Sequence, residues 1–339
     1  MKKVLSIVLS IIILTLSLSA GISAFAADAA VKYDAQKQQH NAQVASFNYS
    51  GDKTVKLIYD FNADNYKVYY SQKLTKKGKA IFTVSDITSL YIKGKYVYYA
   101  DSAKGGIFRR RLDGKKVKTI VKFKKNKYSV RFIIVGSRLI YNLYEYTQDE
   151  AFLKTKLYVS NVKGTDKKLI AKNVKSDFYM YKNMLYFIKD KELMRYDFKE
   201  GELKKRNVGL DLTGAELAGM ENNILYVNYI KGDLDNICNF YRVDVENQKY
   251  WKYQSVEVKA PIHNATIYEN KPYIVTGTSP VTEFAAVRGD EADYKSYRKK
   301  YTAGGDSLGF LKNSIVLDNH KYSEKRENFV FNKYVVMVK

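Results

Sequence analysis

The residues best spaced for chemistry stand late in the chain. Tyr294, Tyr297 and Tyr301 follow helical spacing, with Lys295, Arg298, Lys299 and Lys300 among them. Tyrosine rings stack on sugars or bases while lysine and arginine meet phosphate, so this set reads as a binding surface. "VKFKKNKYS" supplies a second basic cluster, Lys122, Lys124, Lys125 and Lys127. Catalytic material is thinner. The histidines are His40, His263 and His320, and His40 sits in a polar stretch, "QKQQHNAQ". A Ser-His-Asp set needs a positioned histidine, and a His/Cys metal centre needs more ligands than these. The one cysteine, Cys238 in "NICNFY", reads as a small buried hydrophobe. Asp60, Asn62 and Asp64 in "DFNADN" imitate the start of a calcium loop. Asn65 and Ser71 stand where such a loop needs Gly and Glu, so these are turn formers. Asp233 and Asp235 in "KGDLDN" read the same way. Neither segment supplies the paired carboxylates that glycoside hydrolysis uses; a pair assembled from separate repeats stays open. No catalytic residue, cofactor or metal ligand is therefore assigned.

The elements that must position these groups recur. "KYVYYAD" is followed by "GIFRRRLDG" and "KKVKTIV" and preceded by "ITSLYIKG". The same order returns around "VKLIYDF", "SRLIYNL", "NMLYFIK" and "NILYVNY", and less clearly around "KPYIVTG" and "NSIVLDN". The equivalent positions are Ile58, Tyr98, Ile140, Tyr186, Tyr226, Ile274 and Val316, at steps of 40, 42, 46, 40, 48 and 42 residues. Four short strands with tight turns use about 40–45 residues, the period of a propeller blade. Short Tyr/Val/Ile/Phe segments punctuated by Gly, Asp and Asn exclude a helical solenoid. The expectation is an all-β propeller of four-stranded antiparallel blades, seven in number, with six as the alternative. "VASFNYS" is a candidate to complete the last blade. Alternation along a strand places Arg109 and Arg111 on one face and Arg110 on the other, as stem-packed surface groups. Thr276–Gly305 interrupts the pattern, either as a divergent blade or as an inserted basic-aromatic loop.

The first residues read as an address. Lys2 and Lys3 precede an apolar run from Val4 to Leu18, and Ala24 and Ala26 give a small-x-small exit, the layout of a cleaved secretory signal. The organisation expected is a signal at 1–26, a polar leader at 27–44 and one propeller domain at 45–339, with the insertion at 276–305. Export with a single cysteine fits a bacterial route. Without Lys2 and Lys3 the chain carries 56 basic and 35 acidic side chains, a net charge of +21. Such a surplus favours anionic partners and speeds their encounter.

"VYYAD" (Val97–Asp101) and "IFRRRLDG" (Ile107–Gly114) resemble the I-Y-W-T-D core and following I-x-R-x-x-L-D-G of low-density-lipoprotein-receptor propeller repeats. The whole chain also resembles secreted bacterial propellers of unknown function related to that family. The match is strong in Tyr91–Ile120, partial in four other units and poor beyond Pro272. It implies a scaffold and carries no catalytic residue; the receptor propellers have six blades. Gly305-Asp306-Ser307-Leu308 resembles the GDSL esterase motif. The serine lies near the wrong terminus, and Asp318 and His320 have the wrong gap, so a strand-leading turn is the reading.

These features point to an exported, monomeric, non-enzymatic propeller that binds an anionic envelope polymer or a surface protein. It has no specific nucleic-acid partner and no membrane span after signal cleavage. The alternative is an extracellular carbohydrate-active enzyme with carboxylates at one mouth of the ring.

Overall fold

The computed structural model describes residues 37–43, 46–60, 63–72, 78–145, 154–231, 236–258, 261–268, 271–278, 281–286, 299–302, 308–311, 314–323 and 328–338. Among the described residues, apolar and aromatic runs broken by Gly, Asn and Asp turns fold into 27 strands. The first blade is β1 (Phe47–Ser50), β2 (Lys53–Asp60), β3 (Asn65–Ser71) and β4 (Lys79–Val84). The second is β5 (Ile87–Lys93), β6 (Tyr96–Asp101), β7 (Gly106–Arg111) and β8 (Lys118–Lys122). The third is β9 (Tyr128–Val135), β10 (Arg138–Glu145), β11 (Lys154–Asn161) and β12 (Lys168–Lys172). The fourth is β13 (Val174–Tyr181), β14 (Met184–Lys189), β15 (Glu192–Asp197) and β16 (Glu202–Arg206). The fifth is β17 (Glu216–Glu221), β18 (Ile224–Lys231), β19 (Ile237–Asp244) and β20 (Lys249–Glu257). The sixth is β21 (Ile262–Tyr268), β22 (Lys271–Thr278), β23 (Val281–Ala286) and β24 (Lys299–Thr302). The last, β25 (Leu308–Leu311), β26 (Ser314–Ser323) and β27 (Asn328–Val338), has three strands among the described residues.

Strands adjacent in sequence are adjacent in each sheet, and the ladders are antiparallel. The seven recurring positions all fall on the second strand of a sheet, so the repeat read from the sequence is the blade, and there are seven sheets among the described residues. Inner strands lie side by side around an axis: β1 on β5, β5 on β9, β13 on β17, β17 on β21. β2 meets β27, which brings the last sheet back to the first. The protein is a β-propeller.

The apolar cores lie between the blades. Val55, Val68 and Phe82 of the first pack on Leu90, Ile92 and Tyr99 of the second. Leu217, Leu225 and Val243 of the fifth pack on Ile188 and Leu193 of the fourth. A glycine tightens such a seam. Gly114, in a third-to-fourth strand turn at φ 79°, approaches the previous blade so closely that a Cβ would lie 2.2 Å from the Ile81 carbonyl. Gly164 repeats this one blade on, 1.9 Å from the Ile120 carbonyl at φ 87°. Only a residue without a side chain permits both the conformation and the approach.

Cross-strand rows show why the sequence alternates as it does. Tyr91, Tyr98, Arg109 and Lys118 are successive partners from axis to rim. Tyr179, Tyr186, Arg195 and Lys204 form the same row two blades away. Aromatic rings fill the seams and charges gather outside. Arg109 lies 4.3 Å from the Tyr96 ring centre and Arg110 4.7 Å from that of Phe82, while Arg111 pairs with Asp113 at 3.1 Å. The triple arginine is thus a seam and rim device.

One expectation is corrected. "FNYS" forms β1 and pairs with β2, Phe47 opposite Lys56 and Ser50 opposite Lys53; it does not complete the last blade. Gly51, at φ 57°, turns the chain straight back, and a hairpin closes at far lower entropy cost than pairing with the other end of the chain.

Candidate functional site

The inner strand of a blade is paired on one side only. Its other edge leaves alternate N–H and C=O groups facing the axis, and buried backbone groups need partners. The segment at 37–43, "KQQHNAQ", meets that need as a helix, α1, on the axis. Gln39, Asn41 and Gln43 are 1 %, 0 % and 5 % exposed, unusual for so polar a stretch.

Each of the three amides closes a two-bond ring with one backbone residue. Gln39 donates to the Met180 carbonyl at 3.2 Å and accepts from its N–H at 2.8 Å. Gln43 does so with Phe178, at 2.8 and 3.2 Å. Asn41 does so with Phe310, at 2.7 and 2.8 Å. The helix therefore imitates an edge strand. Residues four apart rise about 6 Å on a helix, and strand residues two apart are about 6.6 Å apart, so Gln39 and Gln43 match Met180 and Phe178 in step.

The remaining contacts span further blades. Gln38 donates to the carbonyls of Tyr49 and Ile92, both at 2.7 Å, and accepts from the Tyr91 hydroxyl at 2.9 Å. Ser89 donates to the Ala42 carbonyl at 2.7 Å. His40 meets the Tyr179 hydroxyl at 3.1 Å, and its ring lies 4.9 Å from that of Phe310. Burial lifts the Tyr179 phenol well above its usual range, so it stays neutral beside the imidazole.

Strand direction gives the ring two faces. First-to-second and third-to-fourth strand turns lie on one, the turn face. Second-to-third turns and blade-to-blade links lie on the other, the link face. Gln38 contacts the turn-face ends of β1 and β5, Gln39 meets Met180 near the turn-face end of β13, and Gln43 meets Phe178 two residues closer to the link face, so the chain threads the axis from the turn face. Toward the link face from Gln43, in the first halves of three inner strands, stand Arg131 (β9), Asp177 (β13) and Glu216 (β17). Arg131 donates to Asp177 at 2.5 Å, and the Asp177 charge holds the guanidinium protonated more firmly than usual. Glu216 reaches solvent but is hemmed in by protein. That desolvation, with Asp177 nearby, lifts its carboxyl above the usual range.

The outer strands carry the positive charge. Lys118 and Lys122 flank β8, Lys168 and Lys172 flank β12, and all four are exposed. Lys118, Lys122 and Lys172 have no acidic partner among the described residues; Lys168 donates to the Tyr196 hydroxyl at 2.9 Å. Lys124 and Lys125 continue from β8 into solvent, whereas Lys127 pairs with Glu145 at 2.8 Å. On β16, Lys204 pairs with Glu202 at 2.7 Å and Lys205 with Glu192.

Of the other sequence candidates, Lys299, Lys300 and Tyr301 lie on β24, the outer strand of the sixth blade. Tyr294, Tyr297 and Arg298 fall outside the described residues, as do Gly305, Asp306 and Ser307; β25 starts at Leu308. The described residues of the Thr276–Gly305 stretch lie on β22, β23 and β24 of the sixth sheet, and residues 287–298, where an inserted loop would stand, fall outside the described residues. Asp60 pairs with Lys67 at 2.5 Å, and Asp64 accepts from the Tyr59 hydroxyl. Asp233 and Asp235 fall outside the described residues. Cys238 is buried and its thiol pushed well up, which suppresses the nucleophilic thiolate. Among the described residues no group of three His, Cys, Asp or Glu side chains could hold a metal, and no helix is long and apolar enough to cross a membrane.

The axial helix was the element sequence reasoning missed. Its signal was present: Gln39 and Gln43 share one helical face, a pattern usable only with backbone partners in view.

No protein-family model matches the chain, and no curated protein sequence does. Solved structures do. Oligogalacturonate lyase in complex with manganese is similar at a TM-score of 0.53 and 9% identity, over 85% of this chain and 86% of that one. The N-terminal domain of Nup159 is similar at 0.50 and 10%, over 82% and 87%. Acylaminoacyl peptidase from Pyrococcus horikoshii is similar at 0.54 and 11%, over 91% of this chain but 52% of that one. At such identities the likeness is one of fold, and it agrees with the propeller seen here.

Proposed function

We propose that the protein is a secreted bacterial binding propeller, not an enzyme, which holds an anionic envelope polymer across the rim of its second and third blades. The observation that carries this reading is the repeat of Lys118 and Lys122 as Lys168 and Lys172 on consecutive outer strands, exposed and almost free of acidic partners. A linear polyanion crossing both strands meets the same pair of charges twice. Lys124 and Lys125 extend the track toward the link face. The apolar address at the N-terminus supports export to where such polymers lie.

The carbohydrate-active alternative has one observation on its side: Asp177 and Glu216 approach one mouth of the ring from neighbouring blades, in unequal environments. Asp177 is engaged by Arg131, which leaves one free carboxylate where hydrolysis uses two. Binding is the preferred reading.

Inorganic polyphosphate is the probe. Titration at about 50 mM salt should show binding that weakens as salt rises. Replacing Lys118, Lys122, Lys168 and Lys172 by Gln should weaken it on the order of 100-fold, from about 1 kcal/mol or less per lysine against an anionic surface. Salt-insensitive binding, or no loss in the variant, would sink the rim reading. Release of reducing sugar from wall polysaccharide, abolished by Glu216→Gln, would favour the enzyme.

A further inference from the structure

We propose that α1 is an axial clasp that closes the ring, a role separate from the rim. The last sheet draws its described strands from the C-terminal part of the chain alone, and "FNYS" belongs to the first blade. No described strand is therefore shared between the two ends. α1 does the joining from inside. Asn41 holds both backbone groups of Phe310 on β25, and Gln38 holds carbonyls on β1 and β5. Gln39 and Gln43 hold β13 across the axis. Fewer than two helical turns thus tie the last, first, second and fourth blades, with amide pairs in place of a strand ladder.

The axis is filled by the chain itself from Lys37 to Gln43, so these residues do not leave it as an open channel. The helix itself begins at the turn face, where Gln38 reaches β1 and β5.

Hydrogen exchange of the full chain tests the clasp. Asn41→Leu keeps approximate volume and removes both bonds to Phe310. Exchange at Phe310 and its β25 neighbours should rise at least tenfold, while that of β19 in the fifth blade, which α1 does not bond, stays within twofold. Gln43→Leu should produce the same local rise at Phe178 on β13 and serves if the first variant does not accumulate folded. A synthetic peptide with the sequence of residues 35–46, at millimolar concentration, should partly restore protection in Asn41→Leu. Unchanged exchange at β25 and β13, or a uniform rise that includes β19, would overturn the proposal.

Discussion

The axis and the rim treat polar groups in opposite ways. On the axis, Gln39, Asn41 and Gln43 are buried and each makes two hydrogen bonds. At the rim of the second and third blades, lysines stand in water with few partners. Buried amides left unpaired would cost about 1–3 kcal/mol each, so the axis has one well-defined arrangement. Exposed lysines cost little to leave free, so the rim remains available. The axis explains how the ring holds together, and the rim what it can hold.

Four changes sharpen that division. The largest effect is expected from Gly164→Val, which places a Cβ 1.9 Å from the Ile120 carbonyl at φ 87°. It should destabilise by on the order of 3–5 kcal/mol, read by urea denaturation, and it would also disturb the rim because Ile120 lies on β8. A smaller effect belongs to Lys56, which is buried and whose ammonium burial pulls down to about 8. Below that pH both folded and unfolded chains are protonated, and the cost of the buried charge is present in full. As pH rises from about 8 toward the unfolded value, the folded chain gives up its proton first and the cost disappears. Wild type should therefore gain up to about 2–3 kcal/mol over that window relative to Lys56→Met, measured by denaturation at each pH.

Replacing Lys204 and Lys205 by Gln should change polyphosphate affinity by less than about threefold, because both are already paired with glutamates. A loss as large as that from β8 and β12 would break the contrast between blades. The smallest effect is that of Glu216→Gln. A carboxyl raised in the folded state opposes folding above its unfolded value. The variant should be slightly more stable than wild type at neutral pH and equal to it near pH 4.

Much of the ring was legible because its determinants are local. Tyr98, Tyr186 and Tyr226 mark second strands since each is framed by turn residues at fixed offsets. The arginine run was legible as packing because alternation sets which ring each stem covers. Closure was not legible. Asn41 and Phe310 are 269 residues apart, and Gln39 and Met180 are 141 apart. What Asn41 and Gln39 bind is backbone, which any residue at those positions would offer. Arg131, Asp177 and Glu216 escaped for a related reason: they come from three blades, and only ring geometry brings them to one mouth. The rim was half legible. Lys122, Lys124 and Lys125 stood out as a run, but the pairing of Lys118 with Lys168 requires the blade register.

The most direct test of the central claim is the exchange rate of the backbone amides of Gln39 to Gln43 in the unmodified protein. A leader seated on the axis should exchange orders of magnitude more slowly than a free peptide of the same sequence, at rates near those of β5 and β13. Exchange at the free-peptide rate would contradict a ring clasped from within.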